Sequence, residues 1–291
     1  NYAWWQGIDA AEIEPVFQQA IVLAHKLNDM RAAALITMAF GRILMITGSS
    51  DAYVEKVEEA QKLNQGTGNR SVEAFLRTVN SHALLTAGLL PRALEANTLA
   101  LDSVHDIDKF DRQTLGFDPE PWLKVLRARI LLYLDRFPEA AVLVDGLLDG
   151  RQLETVHRVN AHGTRIEGYR KTQADLAVKE AERLRDILQK NATPYLRVIG
   201  NRYCALALLA GGSAQDAIDL LTETLGYART QKAGLEVEPY LLTALAEAMI
   251  ATGSPAARAT ALEALDLAQR RAMRSAEQEA HALLASIDAT G

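Results

Sequence analysis

The feature that most constrains the fold of this chain is a break that recurs about every forty residues. Gly7 and Gly48 are 41 residues apart, Gly48 and Gly88 are 40 apart, and Gly212 and Gly253 are 41 apart. On each side of such a break lies a stretch rich in Ala and Leu that is long enough for one helix. A fixed period of this length is typical of helical hairpins that stack in series.

The spacing of the breaks is less regular in the middle of the chain. From Gly88 to the break at Asp135 there are 47 residues, then 37 to a weaker break at Thr172 and 40 to Gly212. The longer interval predicts an irregular connection over residues 106–119.

Residue spacing around the breaks predicts helices and no strands. Apolar positions recur every three or four residues, with charged or polar residues between them. In three hairpins a proline stands at the start of the second stretch, where its missing N–H costs no hydrogen bond. No window alternates apolar and polar residues beside an Asn-Gly or Asp-Gly turn. The predicted helices include Met30–Thr47, Ala52–Asn64, Ser71–Ala87, Pro91–Val104, Glu120–Leu134, Pro138–Leu148, Pro194–Ala210, Gln215–Ala228, Val237–Ala251 and Ala256–Arg271.

These patterns predict an all-α fold. A single hairpin cannot bury its apolar face, so about seven tetratricopeptide-like hairpins, the first incomplete, would stack into an α-α superhelix (a solenoid) with a period near 40 residues. Such a superhelix is expected to be right-handed and to have an inner and an outer wall. Residues 1–291 are predicted to form one domain of this kind. Because the chain begins at Asn1 and not at a methionine, we expect it to be a fragment of a larger protein.

Composition limits where such a chain works and what it binds. The formal net charge is −6, which argues against a general nucleic-acid binder, since such proteins carry an excess of Lys and Arg. Apolar runs such as 203–210 are too short for a bilayer-spanning helix. The only cysteine, Cys204, cannot form an internal disulfide, which favours a reducing compartment. We expect a cytoplasmic protein that binds neither nucleic acid nor membrane.

Two stretches of the chain resemble a known kind of repeat region. One joins Gly-Phe-Asp-Pro-Glu-Pro-Trp at 116–122 to the segment 127–141, and the other joins 239–248 to 261–265. They are similar to the tetratricopeptide-type regions C-terminal to the ATPase module in bacterial class III adenylate/guanylate cyclase regulators and maltose-activator-type transcription regulators. The likeness covers residues 85–285 and rests on packing motifs. It implies the sensor or interaction arm of a larger cytoplasmic regulator, with nucleotide-hydrolysing or DNA-binding parts elsewhere.

The chain lacks the motifs that would indicate catalysis. It has no Gly-x-x-x-x-Gly-Lys-Ser/Thr phosphate loop, no His-Glu-x-x-His pair and no nucleophile elbow. His157 and His162 are five residues apart, whereas metal ligands on one helix face are three or four apart. Cys204 lies in an apolar run and is predicted to be a buried, inert thiol. We expect no enzymatic activity in this region, no cofactor and no metal.

The candidate site is the inner wall of the predicted superhelix. In tetratricopeptide arrays the first helix of each hairpin lines this wall, and here those helices carry Arg, Asn and Tyr residues, densest in the middle hairpins. Arg offers forked donors for carboxylate or phosphate, and Asn can pair with a peptide backbone. We expect a groove for an acidic peptide, a partner segment or a small anionic effector; the alternative is that these are ordinary exposed residues. The groove residues are Arg77, Asn80, Arg127, Tyr133, Arg165, Tyr169, Arg197, Asn201 and Arg202.

Three tryptophans form a second candidate set. Trp4, Trp5 and Trp122 are predicted to pack in the core or between repeats. Exposure of Trp4 and Trp5 at the N-terminal end would instead promote self-association, because large bare apolar patches find partners.

Three classes of function remain open at this point. The first is a non-catalytic protein-interaction or effector-sensing repeat domain of a larger signalling or transcription regulator. The second is a small-molecule receptor arm of an ATPase-linked transcription activator. An enclosed apolar pocket with a few polar anchors would favour this receptor, and an open groove would favour a protein partner. The third, an enzyme, needs clustered titratable groups that the sequence does not offer.

Overall fold

The computed structural model describes residues 10–47, 49–150 and 153–290. Within these ranges the chain forms fifteen α-helices, two short 3-10 helices (Val104–Asp106 and Leu235–Val237) and no strand. The predicted all-α class is confirmed. The α-helices are α1 (Ala10–Lys26), α2 (Met30–Thr47), α3 (Ser50–Gln65), α4 (Arg70–Thr86), α5 (Leu90–Ser103), α6 (Lys109–Leu115), α7 (Pro119–Tyr133), α8 (Phe137–Gly150), α9 (Thr155–Tyr169), α10 (Ala174–Asn191), α11 (Pro194–Ala210), α12 (Ala214–Gln231), α13 (Glu238–Ala251), α14 (Ala257–Arg270) and α15 (Arg274–Thr290).

The helices pack as consecutive pairs. The pairs are α2 with α3, α4 with α5, α7 with α8, α9 with α10, α11 with α12, and α13 with α14. Helix α1 packs on α2, and α15 packs on both α13 and α14. The first helices of neighbouring pairs also touch each other, from α2 to α15 in succession. We call α2, α4, α7, α9, α11, α13 and α15 the inner helices, and the second helix of each pair an outer helix.

Most breaks between inner and outer helices share one backbone geometry. Gly88, Gly212 and Gly253 have φ between 70° and 84°, and Asp135 has φ of 59°. The residue after each of them donates its N–H to a carbonyl five residues earlier, as Leu89 does to Leu84 over 2.9 Å. This is the Schellman arrangement, which satisfies the last carbonyls of a helix and ends it. The predicted breaks at these positions are confirmed, whereas Gly7 and Gly48 lie outside the described residues.

The connection over residues 106–119 is more ordered than predicted. It contains helix α6, which packs against α4. Asp111 of α6 is fully buried. Its carboxylate accepts a hydrogen bond from Arg31 Nη2 over 2.6 Å and another from Ser71 Oγ over 2.5 Å. Asp111 therefore fastens α6 to α2 and α4, and this part of the connection is not an irregular loop.

The array curls until its first pairs meet its last ones. The backbone N–H of Ser50, at the start of α3, donates to the carbonyl of Arg271 over 2.9 Å, although 221 positions separate these residues. The side chain of Arg271 in turn donates to the carbonyl of Leu235 and to the carboxylate of Glu238. Helix α2 also contacts the 3-10 helix Leu235–Val237.

A second set of contacts closes the same seam. Arg274 forks onto the carboxylate of Asp51 at 2.7 and 3.0 Å and donates to the carbonyl of Ala87 at 3.1 Å. Gly88 lies directly against Ser275. We call these residues the closing contact: Ser50, Asp51, Ala87 and Gly88 on one side, with Arg271, Arg274 and Ser275 on the other.

Small and apolar side chains fill the spaces between the helices. Buried alanines allow the helices to approach closely, for example Ala93, Ala140 and Ala261. Trp122 is buried as predicted. Trp4 and Trp5 lie outside the described residues. In the part of the chain that the structure describes, we find no helix with both the length and the apolarity to cross a bilayer.

Candidate functional site

A cavity of about 70 Å³ lies at the centre of the closed turn. Six inner helices, the 3-10 helix before α13 and the turn before α15 contribute to its wall. A space of this size with a few polar groups in its wall holds several water molecules or a small ligand. The lining residues are Met45, His82, Leu85, Thr86, Trp122, Leu126, Arg129, Tyr133, Asn160, Tyr195, Ile199, Glu236, Val237, Tyr240 and Met273.

Arg129 of α7 is the cationic group of this cavity. Its Nη1 donates to Asn160 Oδ1 over 2.9 Å and to the Tyr203 hydroxyl over 2.7 Å, and its Nη2 donates to the Tyr133 hydroxyl over 3.1 Å. Its Nε is buried without a hydrogen-bond partner among the described residues. None of the ion pairs within 4 Å in the described ranges involves Arg129, so its hydrogen-bond partners are neutral oxygens, and the Glu167 carboxylate acts on it from a greater distance.

Two tyrosine hydroxyls supply further donors beside Arg129. The Tyr133 hydroxyl accepts from Arg129, while no described residue accepts its hydrogen. Tyr240 makes no hydrogen bond within the described chain, and its ring lies under Arg202 at 5.0 Å. Burial raises the pKa of both tyrosines well above the ordinary value. Both hydroxyls therefore remain protonated and can donate at neutral pH.

His82 of α4 and Glu236 of the 3-10 helix complete the titratable lining. Burial lowers the pKa of His82 to about 3, with help from the charges of Arg42 and Arg129, so its ring is neutral. The Glu236 side chain is buried. Burial together with the Glu236 charge raises the pKa of Tyr195, and Arg129 opposes that rise. Tyr195 therefore lies within electrostatic range of both charged groups.

A buried ion pair adjoins the cavity on the inner face of α9 and α11. Arg202 donates to Glu167 over 2.7 Å, and the two side chains are 6% and 8% exposed. The guanidinium also lies 5.6 Å from the centre of the Tyr203 ring. Glu279 of α15 is 4.0 Å away, and burial raises its pKa to about 6. Burying such a pair costs desolvation. Here the Tyr203 and Tyr240 rings lie against the guanidinium, while Arg202 Nε and Glu167 Oε2 are buried without a hydrogen-bond partner among the described residues.

The nine residues predicted to form one groove do not share one wall. Tyr133 lines the central cavity, and Arg202 belongs to the adjoining ion pair. Most of the others make their contacts with outer helices or with a neighbouring turn. Arg127 donates to Thr98 of α5, Asn201 donates to Thr224 of α12, Arg165 pairs with Asp145 of α8 and Glu180 of α10, Arg197 lies over the Tyr227 ring of α12, Tyr169 packs edge-on against Phe137 of α8, and Arg77 pairs with Glu73 of its own helix.

Arg77 and Asn80 reach a different depression, on the outer side. It is an open channel of about 220 Å³ among α3, α4 and α5, which Arg92 and Glu95 also line. The side-chain oxygen of Asn80 is buried there without a hydrogen-bond partner among the described residues. This open channel resembles a groove for an extended partner.

Sequence reasoning missed the residues that line the cavity most directly. Arg129 lies in the stretch 127–141, where the resemblance pointed only to packing. His82 and Glu236 carry no motif. The signal in the sequence was the high density of polar residues, such as Asn160, in the middle hairpins. Arg129 and Tyr133, one helical turn apart, belong to the same pattern. Cys204 is buried, as predicted, and burial raises the pKa of its thiol to about 12. His162 bonds Glu180 over 2.6 Å, whereas both ring nitrogens of His157 are buried without a hydrogen-bond partner among the described residues.

Neither metal-binding side chains in the described residues nor comparisons with known proteins indicate a function. No group of three or more His, Cys, Asp or Glu side chains suited to a metal ion occurs in the described ranges. No protein-family model matches the chain. No curated protein matches it either. The geometry of the cavity and its surroundings therefore carries the functional argument.

Proposed function

We propose that this chain is a non-catalytic effector-sensing repeat domain, the receptor arm of a larger cytoplasmic regulator of signalling or transcription. The observation that carries the proposal is the central cavity with its converging Arg, Tyr, His and Glu side chains. Clefts that combine apolar walls with a few polar anchors are the usual sites for small molecules. Among the described residues, six inner helices surround this cavity, which favours a small effector over an extended peptide at this place.

The position of the cavity suggests how binding would be transmitted. Its lining runs from Met45 in α2 to Met273 beside α15, so one ligand touches residues from both sides of the closing contact. A ligand that binds only the closed turn stabilises it by a free energy that rises with the logarithm of the ligand concentration above its Kd. The effector would thus hold the first and last pairs together, and its loss would loosen them. The closed and loosened arrangements of these pairs would be two states that neighbouring modules could sense.

A thermal-shift screen with small metabolites tests this function. At about 100 times its Kd, a ligand adds about 2.7 kcal/mol, which raises the Tm of a domain of this size by about 5 °C. The substitution Ile199→Phe places extra volume in the cavity and should abolish the shift. Leu262→Phe, on an exposed surface of α14, is the matched control and should retain it. A screen in which no compound stabilises the protein, or in which both variants respond equally, contradicts the proposal.

The outer channel supports a second candidate, protein interaction. Its observation is the unpartnered Asn80 oxygen beside Arg77 and Arg92. If this channel binds an acidic peptide, fluorescence anisotropy with labelled acidic peptides should detect it. Alanine at Arg77 or Asn80 should then weaken binding, and alanine at Arg258, on the exposed side of α14, should not. Equal losses in all three variants would remove this candidate.

A further inference from the structure

We infer that the ligand of the central cavity is a small aliphatic amino acid, bound as the zwitterion with its carboxylate at Arg129 and its ammonium group at Glu236. This inference rests on the proposed effector-sensing function and specifies its ligand. Three features carry it: the donors beside Arg129, the carboxylate on another wall, and the apolar surface between them.

The Arg129 end of the cavity is built to receive a carboxylate. The guanidinium has no carboxylate of the described chain within 4 Å, and its Nε is buried and unpartnered. The hydroxyls of Tyr133 and Tyr240 line the same space with hydrogens that no described residue accepts. Arginine and tyrosine donors together match the lone pairs of a carboxylate, and charge-assisted bonds of this kind are about twice as strong as neutral ones.

The Glu236 end is suited to a cation. Glu236 lines the cavity from the 3-10 helix before α13, where its side chain is buried and its charge acts on Tyr195. A carboxylate has about four acceptor positions, so Glu236 can accept an ammonium N–H in addition to its contacts within the protein. His82 is neutral in this environment, so it adds no competing positive charge.

The charge balance excludes ligands that carry a net charge. Arg129 and Glu236 line the cavity, the charge of Arg42 acts on His82, and Arg202 lies beside both Glu167 and Glu279. Three positive charges thus face three carboxylates. A simple carboxylate would leave an extra buried negative charge near Glu236, and a simple amine an extra positive charge near Arg129. Uncompensated buried charges are costly. A zwitterion satisfies both ends and brings no net charge.

The rest of the cavity lining is largely apolar. Met45, Leu126, Ile199 and Met273 contribute this surface. The volume of about 70 Å³ leaves room for a short side chain and not for a large aromatic one. Alanine and valine are therefore the probes of choice.

Isothermal titration calorimetry with L-alanine and L-valine tests the inference directly. The control compounds are propionate, which lacks the ammonium group, ethylamine, which lacks the carboxylate, and L-alaninamide, which lacks the carboxylate charge. We expect binding of at least one amino acid and at least tenfold weaker binding of each control compound. Arg129→Gln and Glu236→Gln should each weaken amino-acid binding at least tenfold. Arg127→Gln, two residues from Arg129 but directed at α5, should leave it unchanged.

The outcomes separate this inference from the function on which it rests. Circular dichroism melting of each variant shows that it is folded, and Ile199→Phe blocks the cavity without removing any polar group. If the metabolite screen finds a ligand that Ile199→Phe abolishes but no amino acid binds, the cavity is an effector site and the amino-acid inference is wrong. If propionate or ethylamine binds as tightly as alanine, it is equally wrong. If nothing in the screen binds, the proposed function falls with it.

Discussion

Gly88→Ala is the substitution that most directly tests whether the turn is closed. Gly88, Gly212 and Gly253 occupy the same position, after the last residues of an inner helix, and all three have positive φ. A Cβ at Gly88 would lie 2.7 Å from the backbone nitrogen of Ser275. A Cβ at Gly212 or Gly253 would meet nothing within 4 Å. The three variants therefore share the backbone cost, and only Gly88→Ala also disturbs the closing contact.

The size of the difference follows from the contacts at that seam. In all three variants an alanine in the left-handed region costs about 1–2 kcal/mol. At Gly88 the clash adds strain of about 1–3 kcal/mol unless the seam opens. Opening loses the Ser50–Arg271 bond and the Arg274–Ala87 bond, at about 1 kcal/mol each, while the half-exposed Arg274 ion pair adds less than 1 kcal/mol. The extra cost at Gly88 is therefore about 2 kcal/mol by either route.

Urea unfolding followed by circular dichroism measures this difference. We expect the free energy of unfolding of Gly88→Ala to fall about 2 kcal/mol further than that of Gly212→Ala or Gly253→Ala. Hydrogen exchange adds a local readout, because the Ser50 amide should exchange faster only in Gly88→Ala. Equal losses of stability in the three variants, with the Ser50 amide equally protected in each, would refute the closed turn.

Three further perturbations probe buried groups by the same unfolding assay. His157 is 1% exposed, and burial lowers its pKa from 6.5 to about 4. Protonation of His157 in the unfolded chain therefore lowers the free energy of unfolding by about 3 kcal/mol as the pH falls from 6.5 to 4. His157→Leu should lose less stability over this pH range, and an unchanged pH dependence would contradict this. Arg202→Leu should lower the free energy of unfolding by about 3–5 kcal/mol, because it leaves Glu167 buried and unpaired. Adding Glu167→Leu should recover most of that loss, and a double variant no more stable than Arg202→Leu would contradict this. Gly163→Ala, whose Cβ would overlap the Tyr203 ring, should be strongly destabilising, whereas Gly146→Ala, exposed in α8, should add about 0.5–1 kcal/mol; similar effects at both sites would count against the packing of α9 on α11.

Local sequence patterns predicted most of the helices because the signals that set them are local. The ends of α2 and α11 coincide with the predicted Met30–Thr47 and Pro194–Ala210, and most other predicted ends fall within a few residues. Glycine at a left-handed position and proline at a first turn act within one turn of the chain. They are therefore readable without tertiary information.

The candidate site could not be predicted in the same way. Arg197 and Asn201 lie on an inner helix, as predicted, but their side chains contact α12. One helical position changes direction by about 100°, so an unknown register sends a polar residue to either face. The closing contact is harder still, because the meeting of Ser50 with Arg271 depends on small rotations accumulated over six pairs. No local sequence pattern determines the sum of these rotations.

The closing contact also limits the number of hairpins that can lie between its two sides. An open solenoid gains or loses whole repeats with little penalty, because each repeat touches only its neighbours. Here an inserted or deleted unit of forty residues would rotate the residue-50 edge away from the residue-271 edge. Variation in length should therefore be confined to the exposed turns between helices, and engineering by repeat duplication should yield an open spiral with a broken central cavity.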